Sequence, residues 1–195
     1  SLGLSVGGIP ATANTEEWNR PTHVAGAWAA GTNINTARTY LAGSNQGTAS
    51  STIAFGGSPE RAITESYDGS SWTEVADLNT GRSALGGTGT STSALASFGY
   101  SDARVAIAET FDGSSWTEVA DGSTARNIPF SFGTQTATII SGGLSGPPNT
   151  IRDETESWNG TAWTEVGDLN TGRYGYMGAG TATAGLVAGG ESNYD

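Results

Sequence analysis

Apolar residues along this chain come in short bursts, and no window shows the 3.6-residue spacing of a long amphipathic helix. LSVGG, TIAFGG, ALASFG, TIISGG and GLVAGG carry β-branched or aromatic residues and close on glycine, so each reads as a strand. TESYDGSSWTEV places two strands around Asp68-Gly69. Glycine accepts the positive φ of a two-residue hairpin, and Phe111-Asp112-Gly113 and Trp158-Asn159-Gly160 repeat the device. A further strand starts at an arginine and is unusually small, as in SALGGTGT and YGYMGAGT. Its Gly and Ala predict close approach of neighbouring backbones. The pattern predicts an all-β chain.

The bursts repeat. Trp28, Trp72, Trp116 and Trp163 are spaced by 44, 44 and 47 residues, and Arg38, Arg82, Arg126 and Arg173 each follow ten residues later. Behind the last three Trp runs one phrase: TEVADLNTGR, TEVADGSTAR and TEVGDLNTGR. Tyr67, Phe111 and Trp158 stand five residues before their Trp, whereas Trp18 stands ten before Trp28, owing to an insertion around Pro21 and His23. Glu16, Glu65, Glu109 and Glu156 precede these aromatics in register. Gly pairs recur at Gly7-Gly8, Gly56-Gly57, Gly142-Gly143 and Gly189-Gly190, with Gly99-Tyr100 standing in once. Four short strands per 44–47 residues is the period of a propeller blade. The repeats fall at about 7–55, 56–98, 99–141 and 142–188 of a single domain, 1–195, with a further Gly-Gly strand at the C-terminal end.

Gly-Gly, then Glu-x-aromatic-Asp-Gly, then Trp, then Arg ten residues on resembles the kelch repeat of β-propellers, over essentially the whole chain. The resemblance implies a kelch-like β-propeller of four-stranded antiparallel blades. The wording TE-aromatic-(D/N)-G-x-(S/A)-W-TEV-x-DLNT-x-R is similar to kelch-like arrays common in predicted proteins of marine bacteriophages and bacteria. That likeness implies a place on a virion or an extracellular surface. Five Gly-Gly strands against four copies of everything else predict either a small ring or a segment of a longer array. In a ring, residues 2–8 meet the strand at 173–180, and 185–195 are left surplus.

The repeated residues read as framework. Each Trp flanks a hairpin with its partner aromatic and packs between sheets, where a core poor in Leu and Ile needs large buried rings. Each Arg is placed to reach the Glu of the T-E pair, or Asp77, Asp121 or Asp168, in a forked charge-assisted pair. Residues 77–81 read as a turn held by Asx hydrogen bonds.

Composition narrows the function. The formal net charge is -11, all eight basic residues are Arg, and no basic stripe exists, which excludes nucleic-acid binding. No apolar run is long enough for membrane insertion, and residues 1–9 lack the positive start of a signal peptide. With no Cys and one His, the copper-oxidase type of kelch propeller is untenable. Asp-Gly is explained as a turn and no D-x-D-x-D ladder occurs, so neither metal nor cofactor is expected. SYDGSSW at 66–72 resembles the sialidase Asp-box but is one residue short, and the Arg positions do not supply its arginine cluster. No nucleophile–base–orienter set assembles, so the chain reads as non-enzymatic.

Variation concentrates after the Gly-Gly: IPATAN, SPERAI, SDARVAI and the long LSGPPNTIRDE at 144–154. Loops on a rigid scaffold are where recognition usually resides, so Tyr100, Arg61, Arg104, Pro147, Pro148 and Arg152 are the candidate binding residues. The insertion with Pro21 and His23 is a second candidate, on the opposite face. The expected partners are a host-surface glycan or protein, other virion proteins, or a second copy of the chain.

Overall fold

The computed structural model describes residues 3–6, 13–19, 27–175 and 177–193, and every regular element among them is a strand. The first sheet is β1 (Gly3–Val6), β2 (Thr15–Asn19) and β3 (Ala27–Ala30). The second is β4 (Ala42–Gly43), β5 (Thr52–Phe55), β6 (Thr64–Tyr67) and β7 (Trp72–Glu74). The third is β8 (Gly86–Thr90), β9 (Ser93–Ser101), β10 (Ala103–Phe111) and β11 (Trp116–Val119). The fourth is β12 (Phe130–Thr134), β13 (Ala137–Ser141), β16 (Thr155–Trp158) and β17 (Trp163–Val166), with a small hairpin of β14 (Leu144–Ser145) and β15 (Thr150–Ile151) in its longest loop. A terminal sheet holds β18 (Met177–Thr181) and β19 (Ala184–Ala188). All pairings are antiparallel and follow chain order.

Ser1–Leu2 and Gly7–Thr12 lie outside the described residues, as do Pro21 and His23; Gly3–Val6 pairs with β2 and Met177–Thr181 with β19.

The arginine-led strands β4, β8, β12 and β18 lie side by side in that order. Their small residues are a packing requirement: a Cβ on Gly87 would come within 2.7 Å of the Gly43 carbonyl. Backbone bonds stitch the sheets together where these strands begin, Ala84 N–H to the Tyr40 carbonyl and Ile128 N–H to that of Ala84. Tyr40, Ala84 and Ile128 all hold φ of 52–53°. That left-handed conformation is costly for a residue with a Cβ, most of all a β-branched one.

Large rings fill the space between sheets. Tyr67 sits opposite Trp72, Phe111 opposite Trp116 and Trp158 opposite Trp163, with ring centroids 5.0–5.3 Å apart. The backbone register of the first sheet sets Trp18 opposite Trp28 in the same way. Trp116 also meets Phe55 of the preceding sheet edge-on at 5.0 Å, and Trp163 meets Phe98 at 5.5 Å. The indole N–H of three repeat Trp donates back to the repeat before: Trp72 to the Thr32 carbonyl, Trp116 to Thr64 Oγ1, Trp163 to the Ala120 carbonyl. A ring that is buried and also keeps its N–H satisfied joins two sheets without a desolvation penalty.

Candidate functional site

Three of the repeat's arginines enter their sheet just ahead of the innermost strand and cross to the glutamate of the third. Arg38 pairs with Glu65, Arg82 with Glu109 at 3.2 Å and Arg126 with Glu156 at 2.9 Å, all essentially without solvent exposure. Asp77 and Asp168 do other work, accepting the Thr64 and Thr155 amides. The turn before each arginine finishes the carboxylate's shell. Glu65 accepts the Asn35 and Thr36 amides, Glu109 those of Asn79 and Thr80, and Glu156 that of Ser123. Asn35 and Asn79 also donate from Nδ2 to the Trp72 and Trp116 carbonyls. Burial pulls the Arg82 guanidinium below its ordinary pKa, and Glu109 foremost, then Asp121 and Glu118, oppose that. A buried carboxylate met by a guanidinium and by backbone amides holds a fold together, even though Arg82 Nε and Nη1 are left without hydrogen-bond partners among the described residues.

The Gly pair belongs to the same construction. Gly57 has φ of 120°, and a Cβ there would meet the Arg38 side chain at 2.9 Å. Sequence spacing misplaces this pair in the third repeat. Gly57, Gly99 and Gly143 donate alike to the carbonyls of Arg82, Arg126 and Arg173. Gly99 is therefore the second glycine of its pair, Phe98 with φ of 60° occupies the place of Gly56, and Tyr100 matches Ser58 and Leu144. The Phe98 ring lies over the Arg126 guanidinium at 4.6 Å. It needs the room that Gly122 provides, because a Cβ at 122 would lie 2.2 Å from the ring. Leu78 and Leu169 occupy that place in the flanking repeats, making the same backbone bond.

The Asp-Gly hairpins also differ from the two-residue form. Four residues, 68–71, separate the paired Tyr67 and Trp72, and the Asp68 carboxylate accepts the Ser70 and Ser71 amides. Asp112 does the same with Ser114 and Ser115, and the Asn159 side chain with Thr161 and Ala162. The Ser71 amide above all, then the Ser70 hydroxyl and amide, hold Asp68 down at a pKa of about 2. Asp112 is held at about 2 by the Ser115 amide, then by Ser114.

Of the candidate binding residues, Tyr100, Arg104, Pro147, Pro148 and Arg152 come together. Tyr100 pairs directly with Arg104 across the β9–β10 hairpin. Arg104 donates from Nε to Asn127 Oδ1 at 2.9 Å and from Nη1 to the Gly146 carbonyl at 2.6 Å, and it also reaches Asn149. It thereby clamps the loop holding Pro147 and Pro148 against the third sheet. Arg152, at the base of that loop, reaches Ser145 and pairs with Glu154 at 2.8 Å. Arg61 stands apart: it matches Arg152 by accepting the amide of the next repeat arginine, Arg82, and no described side-chain bond joins it to the others. Residues 102–103 and 146–150 leave an exposed rim around Arg104.

A second concavity, of about 380 Å³, is lined by the inner strands, with Asn45, Gln46, Phe130 and Phe132 as its larger groups. Sequence reasoning missed it, because strands of Gly and Ala signal close packing and not the hollow they surround. Among the described residues no three of His, Cys, Asp and Glu converge as metal ligands would. No family model matches this chain, and no curated protein does either.

Proposed function

We propose that the chain is a kelch-like β-propeller array acting as a non-enzymatic binding or adhesion module, displayed on a phage virion and recognising a glycan or a protein. The inner strands support the propeller reading: they succeed one another side by side and share one concavity. Recognition rests on the Arg104 clamp, which converts the most variable loops into a rigid, exposed platform. A platform ordered in advance loses little conformational entropy on binding, the usual advantage of loops on a stiff scaffold. The phage setting rests on the resemblance of the repeat wording.

The test replaces residues 144–154 with the short SPERAI loop and, separately, changes Arg104→Ala. Host cells and a glycan array are then probed with the folded variants. The expected outcome is intact circular dichroism with binding weakened at least tenfold; full-strength binding by both variants removes this face as the site. A purely structural virion component is the second reading, favoured by the ion pairs that occupy the repeat's charged residues. It predicts binding to neither glycans nor cells, and co-sedimentation with other virion proteins.

A further inference from the structure

Arg61 and Arg152 hold the same place in their repeats. Each donates its amide to the second glycine of its pair, Gly57 or Gly143, and gives its carbonyl to the amide of the next repeat arginine, Arg82 or Arg173. The residues around them match as well. Ser58 and Leu144 make equivalent bridges, to Thr39 and Asn127, so Pro59 stands in the place of Ser145. The Ile63 and Glu154 carbonyls both accept from the first glycine of the pair, Gly56 and Gly142, so Ile63 stands in the place of Glu154.

The comparison exposes a deficit. Arg152 donates from Nε to the Ser145 hydroxyl and from Nη1 to the Glu154 carboxylate at 2.8 Å. In the second repeat, proline and isoleucine supply neither group. Arg61 joins no ion pair among the described residues, and its Nε is buried without a hydrogen-bond partner. A guanidinium stays charged at any ordinary pH, so a half-buried cation is left with nothing in the chain to meet it. Turning this side chain outward breaks no hydrogen bond and lets Nε find the acceptor it lacks.

A second cation lies on the neighbouring loop. Ser83, next to Arg82, bridges Tyr100, and Tyr100 pairs with Arg104. The acceptors that Arg104 holds, on Asn127, Gly146 and Asn149, are all neutral. Two guanidinium groups without a counter-charge, on adjacent loops of a chain of net charge -11, favour an anion at this rim.

We propose that Arg61 is the carboxylate-binding residue of the loop face and that its ligand is a sugar acid, an inference that rests on the adhesion reading above. What Arg61 lacks, measured against Arg152, is one carboxylate and one hydroxyl. A uronic acid carries the two on neighbouring ring carbons, and the forked guanidinium takes both in charge-assisted bonds. Arg104 already has all three nitrogens engaged, so it contributes its charge while Arg61 contributes the fork.

The first measurement titrates the full chain with sodium glucuronate, with glucose and acetate beside it, by calorimetry or NMR. Glucuronate should bind about tenfold more tightly than either, because it alone offers both groups. Acetate binding as well as glucuronate, or no saturable glucuronate binding, overturns the proposal. Arg61→Gln should lose the preference. Ile63→Glu gives Arg61 the internal carboxylate that Arg152 has, and should lose glucuronate binding while keeping the parent's circular dichroism. A folded Arg61→Gln that still prefers glucuronate overturns the site, as does a Ser-Glu peptide that outcompetes the sugar. Host-cell binding separates this inference from the platform itself. Binding lost in Arg104→Ala but unchanged in Arg61→Gln leaves the platform and removes the acid site, and unchanged binding in both removes the two together.

Discussion

Arg82 and Glu109 carry the largest single-residue stakes in this molecule. Neither sees solvent, Glu109 accepts from the Asn79 and Thr80 amides, and Arg82 reaches Glu109 and the Ala96 carbonyl through Nη2, so removing one strands the other as a buried charge. Glu109→Ala is expected to cost about 3–5 kcal/mol, read from urea melts. Arg82→Met/Glu109→Leu should recover much of the loss, since it leaves no charge behind. The spacing of arginine and glutamate offered this pair before any fold was known, with Asp77, Asp121 and Asp168 as the alternative partners. Phe98 was not readable. Its neighbour glycine suggests one alignment, and only the bond from Gly99 to the Arg126 carbonyl shows that phenylalanine occupies a glycine's left-handed position. Gly122→Leu should therefore cost about 1–3 kcal/mol by overpacking against Phe98. Adding Phe98→Gly should make the leucine acceptable, which a double-mutant cycle will register as a coupling of opposite sign to the single losses.

At the scale of the element, hairpins and connectors behave differently from their sequence signals. Asp-Gly predicts a two-residue turn, yet the aspartate side chain competes for the next two amides and opens the turn to four residues. Because Asp68 and Asp112 have their folded pKa depressed to about 2, their contribution is complete above the unfolded value of about 3.9. It is lost as pH falls through about 2. Thermal melts at pH 4, 3 and 2 should show Asp68→Asn/Asp112→Asn losing less stability than the parent across that window, as the uncharged Asn159 hairpin implies. The connectors carry strain that no residue type announces. Ala84 sits at φ of 52° because its amide and carbonyl must reach two neighbouring sheets. Ala84→Gly is expected to raise stability by about 1 kcal/mol, measured by calorimetry, since glycine adopts this conformation without the Cβ clash.

Over the whole molecule, strand, period and pairing were legible because each depends on local pattern: alternation, Gly closure, an aromatic facing Trp. What lay beyond the sequence was relational. The choice of Glu over Asp as partner for Arg126, and of the long loop as partner for Arg104, depends on which sheets stand next to which. The concavity around Phe130 was hidden for the same reason. Near-identical repeats invite loss or duplication of a unit during replication, and the Phe98–Gly122 exchange limits where such events succeed. A crossover between those codons would join Phe98 to a leucine turn, or a glycine to a glycine turn, giving a clash in one product and a hole in the other. Residues 98–122 are therefore expected to be inherited together, and variation in repeat number among descendants should have its breakpoints outside them.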